Sequence, residues 1–425
     1  MNILPNRKIP PPIYDIESGI TPWPKQENDI KEGISLFVLK VQNAEFSKVE
    51  LIFDAGKWYD TYNGISYFTG HMLLEGTKNK SSQEISQYID QFGAILDVDV
   101  TNDICSITLL TLPKFLDPML TLLVELLSES TFPEDRLLHI KQLKKQSLAV
   151  ENSKTNRVCA KKFLELLYTT SYPYGRNLNE EDIDKFTSED LNSFYNDKFT
   201  SKCKVILSGK VTNKELELVN KHIKNLSISN KCNYSSYNYV EASPQKMHLE
   251  VRNGLQTSIM LGKVLFNQSN EDYSSMVLVN TLLGGYFGSR LMRNIREKKG
   301  YTYGIYSRII PLRYSGYWII KTDVAREFVK ETLTEIEIEI KKLQTVAVPD
   351  NELKLVKNYL AGSLLYEMNS IFAISEKFKS LSIINMDSSF YHRLSATIDK
   401  LNAKQIMDIA SKYLNCECFS MVTVC

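Results

Sequence analysis

The sequence predicts an α+β fold made of two homologous domains, each with helices packed on a mostly antiparallel sheet. Three observations predict it. First, the chain repeats itself at one constant offset: Ile183-Asp184-Lys185-Phe186-Thr187, Leu191 and Phe194 recur as Ile398-Asp399-Lys400-Leu401-Asn402, Ile406 and Ile409. In both places the helical pattern leads into a strand, at 204–209 and at 419–424. A single offset that spans half the chain signals duplicated domains rather than a short-repeat solenoid. Second, strand and helix patterns come in blocks instead of strict βαβ units, which favours helices on antiparallel sheets. Third, residues 226–247 are polar and turn-rich, with Ser227, Ser229, Asn230, Asn233, Ser235, Ser236 and Asn238, as in an interdomain linker. The expected division is a first domain at 1–230, a linker at 231–247 and a second domain at 248–425.

The elements follow in order. Residues 1–32 form a proline-rich arm. The runs 34–41 and 48–53, rich in Val, Ile, Leu and Phe, read as strands. A helix is expected from 64 to 74. Residues 94–99 and 103–111 alternate apolar and polar side chains around Thr101-Asn102, as a hairpin does. Apolar residues at three- and four-residue spacing predict amphipathic helices over 114–128 and 133–152. The second half opens with strands at 248–251 and 257–264.

Composition excludes some functions. The 425 residues hold 51 Lys+Arg against 50 Asp+Glu. No basic block is interleaved with aromatics, so no nucleic-acid surface is expected. No run of 18 apolar residues occurs, so no membrane span is expected. The first residues lack the apolar core of a secretory signal, and the expected location is the cytoplasm. Seven cysteines, an odd and scattered set, fit a reduced compartment better than a disulfide framework. Cys416, Cys418 and Cys425 contain no C-x-x-C pair. They read as small apolar residues of a terminal strand rather than as metal ligands.

The most informative stretch is Gly64-Ile65-Ser66-Tyr67-Phe68-Thr69-Gly70-His71-Met72-Leu73-Leu74-Glu75-Gly76-Thr77. It resembles the inverted zinc motif of the pitrilysin-type, insulinase-like metallopeptidases. In that motif two His four apart on one helical face hold the metal, and a Glu between them activates its water. Here Tyr67 stands at the first His, Gly70 at the Glu, and only His71 survives. The family's third ligand is a distant Glu. Its spacing, counted on from His71, reaches Leu148, as does a count back from the landmark Tyr172-Pro173-Tyr174-Gly175-Arg176. Glu151 enters only if the alignment slips by three. A neutral phenol is a poor ligand, Gly offers no base, and a catalytic zinc needs about three protein ligands. His71 alone reads as a structural histidine. A substitute pair of His71 and Glu75 is weighed against a solvated Glu75 at a helix end, and the latter is preferred. Asp135 and His139 have the same spacing, and a plain amphipathic helix explains them.

A second constellation runs Gly284-Gly285-Tyr286-Phe287-Gly288-Ser289-Arg290-Leu291, then Arg293-Asn294-Ile295-Arg296-Glu297-Lys298-Lys299-Gly300-Tyr301-Thr302-Tyr303. Ser289 is expected to cap a helix that runs to Lys298, Gly300 to end it, and a strand to begin near Tyr303. No G-K-[ST] follows the glycines, so they are not a phosphate loop. The stretch is closely similar to the family's second-half signature. There the resemblance implies that Arg296 and Tyr303 hold substrate backbone and stabilise charge on the scissile carbonyl, a task that guanidinium and phenol donors suit. The alternative is an ordinary ion pair for Arg296 and a half-buried strand aromatic at Tyr303. The resemblance further implies two domains of similar size, a clamshell when two such chains pair, and a division of labour in some members, as in the alpha type of processing peptidase. This chain then binds no metal itself; a homologous partner subunit carries the zinc, and peptides are the substrates. The alternative is a non-catalytic scaffold or peptide-binding subunit. Activity as a homodimer would need a complete zinc site, which the sequence lacks.

Overall fold

A computed structural model describes residues 23–27, 29–228, 237, 242–251, 256–368 and 370–425. Residues 1–22 of the proline-rich arm and most of the expected 231–247 linker lie outside them. Eleven strands are described: Lys25–Gln26 (β1), Ile34–Lys40 (β2), Ser47–Phe53 (β3), Ile95–Val100 (β4), Cys105–Thr111 (β5), Cys203–Gly209 (β6), Lys246–Leu249 (β7), Thr257–Leu265 (β8), Thr302–Pro311 (β9), Gly316–Val324 (β10) and Ser420–Val424 (β11). They form two sheets, ordered β1-β2-β6-β3-β5-β4 and β7-β11-β8-β10-β9. All pairings are antiparallel except β2 with β6 and β7 with β11. Without β1 the two orders are the same topology: in each half the first strand pairs parallel with the last. Residues 246 and 247, expected in the linker, already belong to β7.

The duplication reaches the helix ends. The helices Ser188–Lys198 and Ala403–Tyr413 stand at the offset of the sequence repeat. Each opens with a capping box, Thr187 with Asp190 in one and Asn402 with Gln405 in the other. Such a box satisfies two backbone donors that have no partner inside the helix. The expected helices also form, as Ile65–Met72, Leu116–Glu129 and Glu134–Asn152.

The central strands of each sheet are buried on both faces, but not by helices of their own half alone. On the first sheet, Leu36, Val38, Val49, Leu51 and Leu207 face the core of the first half. Alternation turns Ile52 and Ile206 the other way, where they meet Phe378 of the helix Ile371–Ile383. Phe378 also lies 4.7 Å from Phe37, ring to ring. The converse holds on the second sheet. The helix Thr155–Tyr168 packs on β8 and β11. Its Cys159 thiol approaches Val422 O at 3.4 Å, and its Tyr168 hydroxyl donates to Gly316 O at 2.8 Å. These two helices also stand at the repeat offset, so the halves exchange equivalent helices. The exchange explains why β3 is buried along its whole length, Lys48 and Glu50 included, with Glu50 paired to Lys379 of the exchanged helix at 3.3 Å.

Candidate functional site

Asp60 sets the position of the motif helix Ile65–Met72. Its buried carboxylate accepts the backbone N–H of Gly64 at 2.8 Å and of Ser66 at 3.0 Å. Gly64 takes φ +95, a left-handed value that glycine adopts without strain. Burial pushes the Asp60 carboxyl up to about 6, against the pull of those hydrogen bonds and of Lys57 nearby. Burial in turn lowers Lys57 to about 8. The Lys57 ammonium donates to Arg176 O, and the Arg176 guanidinium to Asp60 O at 3.3 Å. The landmark at 172–176 is therefore a strap on the helix start.

The motif positions do not form a metal centre. Tyr67, Leu148 and Glu151 line one cavity of about 400 Å³, with Lys57, Lys144 and Lys161 among its walls. His71 does not line it; its ring lies over Tyr67, with centroids 4.1 Å apart, and Nδ1–H donates to Tyr67 O at 2.8 Å. Burial, and then the nearby Glu151 charge, raises the Tyr67 phenol above its ordinary value, so it stays protonated. The Lys144 ammonium stands 4.3 Å from the Tyr67 ring centroid, a fixed positive charge beside the place a divalent cation would need. Burial lowers the Lys144 pKa, with Glu151 opposing. Glu151 itself pairs with Lys161 at 3.2 Å.

Gly70 closes the question sterically. A Cβ there would lie 2.8 Å from Val100 Cγ2 and 3.2 Å from Val98 Cγ1. The helix rests on β4 at this point, and any side chain at 70 would have to displace Val100. Glu75, expected to be solvated, instead pairs with Arg136 (Nη2 at 2.5 Å) and accepts from Ser82 Oγ at 3.0 Å. Asp135 and His139 are exposed on the helix Glu134–Asn152, as a plain amphipathic helix places them. The residues therefore do not fit zinc at the motif.

The second constellation is arranged otherwise. Its helix begins at 290 and is wound as a π-helix over Met292–Lys298. Ser289 is not the expected cap. Its carbonyl accepts Arg293 N–H at 2.9 Å, but its hydroxyl is buried and finds no partner among the described residues. Gly284 explains the tight docking: a Cβ there would lie 2.7 Å from Ser307 N on β9. Gly300 ends the helix at φ +70. Two arginines serve the fold, since Glu352 binds Arg290 at 3.0 and 2.9 Å and Arg293 at 2.8 Å. Arg296 differs. Among the described residues it makes no ion pair; its guanidinium lies 4.6 Å from the centroid of Phe287, a ring that is 63% exposed. Tyr303 is 91% exposed on β9, an edge strand. Neither the ordinary ion pair nor the half-buried aromatic is what forms.

The comparisons with known proteins meet this geometry. The family model described as "Insulinase (Peptidase family M16)" matches residues 36–177, and "Peptidase M16 inactive domain" matches 185–360. The chain belongs to the M16, insulinase-like family. Similar members include an "Uncharacterized zinc protease YmxG" of Bacillus subtilis, 23% identical over 72% of this chain and 75% of its own length. A "Non-peptidase homolog YmxG" of Helicobacter pylori is 24% identical over 81% of this chain and 80% of its own. Among solved structures, a "peptidase M16 inactive domain" of Pseudomonas fluorescens matches with a TM-score of 0.84 at 23% identity, over 94% of this chain and 98% of that one. A Helicobacter pylori protease matches with a TM-score of 0.85 at 17% identity, over 95% and 99%. This M16 chain is thus of the inactive type in its motif. No described helix is long and apolar enough to cross a membrane.

Sequence reasoning missed Lys144 and Phe287. Lys144, Leu148 and Glu151 are spaced four and three apart and so share one helical face; that spacing is the available signal. Phe287 stands inside the second-half signature, but nothing in sequence announces that a ring will stay in solvent beside an arginine.

Proposed function

We propose that this chain is the subunit of a peptide-hydrolysing pair that lacks a catalytic metal at its motif. A homologous, zinc-bearing partner cleaves, and Arg296 and Tyr303 of this chain hold the peptide backbone and the developing oxyanion. The observation that carries the reading is the state of that pair. Arg296 stacks on an exposed Phe287 while its neighbours Arg290 and Arg293 are held by Glu352, and Tyr303 presents its phenol to solvent from an edge strand. An extended peptide adds naturally to such an edge, through main-chain hydrogen bonds. Guanidinium and phenol donors aimed at developing charge each contribute about 10²–10³ in turnover in hydrolytic sites.

The test is reconstitution. The chain alone, at defined zinc, should cleave peptides negligibly; mixed with a zinc-bearing homologue from the same genome it should restore turnover. Arg296→Ala and Tyr303→Phe should then lower turnover while the complex keeps its mass and metal content. Unchanged rates in both variants, with assembly intact, would remove the assigned role and leave a scaffold.

A further inference from the structure

The strand pairing that closes the second half gathers three metal-ligating side chains at its edge. β7 is the outermost strand and runs parallel to β11, with His248 opposite Thr423 and Leu249 opposite Val424. Side chains two apart in a strand share a face. His248 and Glu250 therefore project on the same side as Thr423 and Cys425. The backbone continues the clamp beyond the strands, Cys425 N–H donating to Leu249 O at 3.0 Å and Val251 N–H to Cys425 O at 2.6 Å. The result is a His–Glu–Cys group whose ligand atoms all lie within 4.8 Å of one another.

The group is oriented as well as close. His248 Nδ1 lies 2.8 Å from Thr423 Oγ1, and that hydroxyl has Met247 O as its own acceptor at 3.5 Å. With its single proton so directed, Thr423 accepts from Nδ1–H, which leaves the Nε2 lone pair free. Nε2 faces Cys425 Sγ at 3.8 Å. Metal–sulfur and metal–nitrogen bonds of about 2.3 and 2.0 Å at a tetrahedral angle place such atoms roughly 3.6 Å apart. A hydrogen-bonded second nitrogen is what fixes a metal-binding imidazole in most zinc sites. His248 and Glu250 are exposed and Cys425 is buried, so an ion can enter from solvent and rest against the sheet.

We propose that His248, Glu250 and Cys425 form a zinc site with three protein ligands and one open position, remote in sequence from the eroded motif. It would tie the first strand of the second half to its last. Binding releases the Cys425 thiol proton, which in the free chain has Leu249 O at 3.7 Å and His248 Nε2 at 3.8 Å within reach. The site is independent of the peptide-handling role proposed above.

Cobalt(II) is the probe. The full chain, stripped with a chelator and titrated with CoCl₂, should bind one equivalent and develop a thiolate-to-cobalt charge-transfer band that added zinc bleaches. Cys425→Ser should abolish the band. His248→Ala and Glu250→Gln should each weaken zinc binding at least tenfold, and Thr423→Val should weaken it about 10–100-fold while keeping the band. His71→Ala should change nothing. Glu250 is exposed, so its variant reads the site even where Cys425→Ser disturbs folding. A wild-type chain without the band, a band that survives Cys425→Ser, or a band lost in His71→Ala would overturn the proposal.

Discussion

Gly70 is where the loss of the metal centre becomes irreversible at the level of single residues. Tyr67 and Leu148 look like point replacements, but Val98 and Val100 crowd the position that a glutamate Cβ at 70 would take. Restoring the motif by Tyr67→His, Gly70→Glu and Leu148→Glu together should therefore not raise the zinc content above that of the unaltered chain, as measured after gel filtration. Gly70→Glu alone should destabilise the chain by about 1–3 kcal/mol in denaturant unfolding, through overpacking. Asp60 yields a pH prediction. Its carboxyl titrates near 6 in the folded chain, above the 3.8 of an ordinary aspartate. Between those values the folded chain holds a proton that the unfolded chain releases, so the contribution to stability is complete below about pH 4 and is lost as pH rises through 6. Relative to Asp60→Asn, the wild type should gain about 2–3 kcal/mol between pH 7 and pH 4; urea midpoints of both proteins at the two pH values check this. The replaced ligands were legible in the sequence because each position has a fixed chemical requirement. The crowding at position 70 was not, because it depends on which strand the helix touches.

At the scale of elements, the exchanged helices matter most. Phe378 lies against the far face of the first sheet, among Phe37, Ile52 and Ile206. Phe378→Ala should cost about 3–5 kcal/mol, and hydrogen exchange should quicken in β3 and β6 as well as in the helix that carries it. If only the second half responded, the packing assigned to that helix would be wrong. Neither helix was among those expected from the sequence: Thr155–Tyr168 has no side-chain cap, and only Ser370 marks the start of Ile371–Ile383. Their destinations were not legible either. An amphipathic stripe states that a face must be covered, not which sheet covers it, and helices at 155–168 and 371–383 look local in sequence. The Ser289 cap failed for a related reason: the preceding glycine segment docks so closely on β9 that the hydroxyl is buried before it can reach a free N–H.

For the whole molecule, the halves are joined by charge as well as by exchange. Arg313, in the β9–β10 turn, donates to Asp54 Oδ1 at 2.7 Å, to Ile383 O at 2.9 Å and to the Tyr59 hydroxyl. Its backbone N–H donates to Asp103 Oδ2 at 3.1 Å, and Tyr174 holds the other oxygen of that carboxylate at 2.5 Å. Arg313→Met should cost about 1–3 kcal/mol, because the partly exposed pair with Asp54 and the hydrogen bond to Ile383 O are lost together. Calorimetry should show one unfolding transition for the wild type, not two, with calorimetric and van't Hoff enthalpies in agreement. The exchange has a further effect during synthesis. The strands of the first sheet are complete at Gly209, yet the helix that covers their far face begins only at Ile371. At ribosomal speeds of about 5–20 residues per second, a nascent chain carries Phe37, Ile52 and Ile206 without their Phe378 cover for roughly 10–30 s. Translation of this protein thus has a built-in interval in which a holding chaperone has a defined greasy surface to bind.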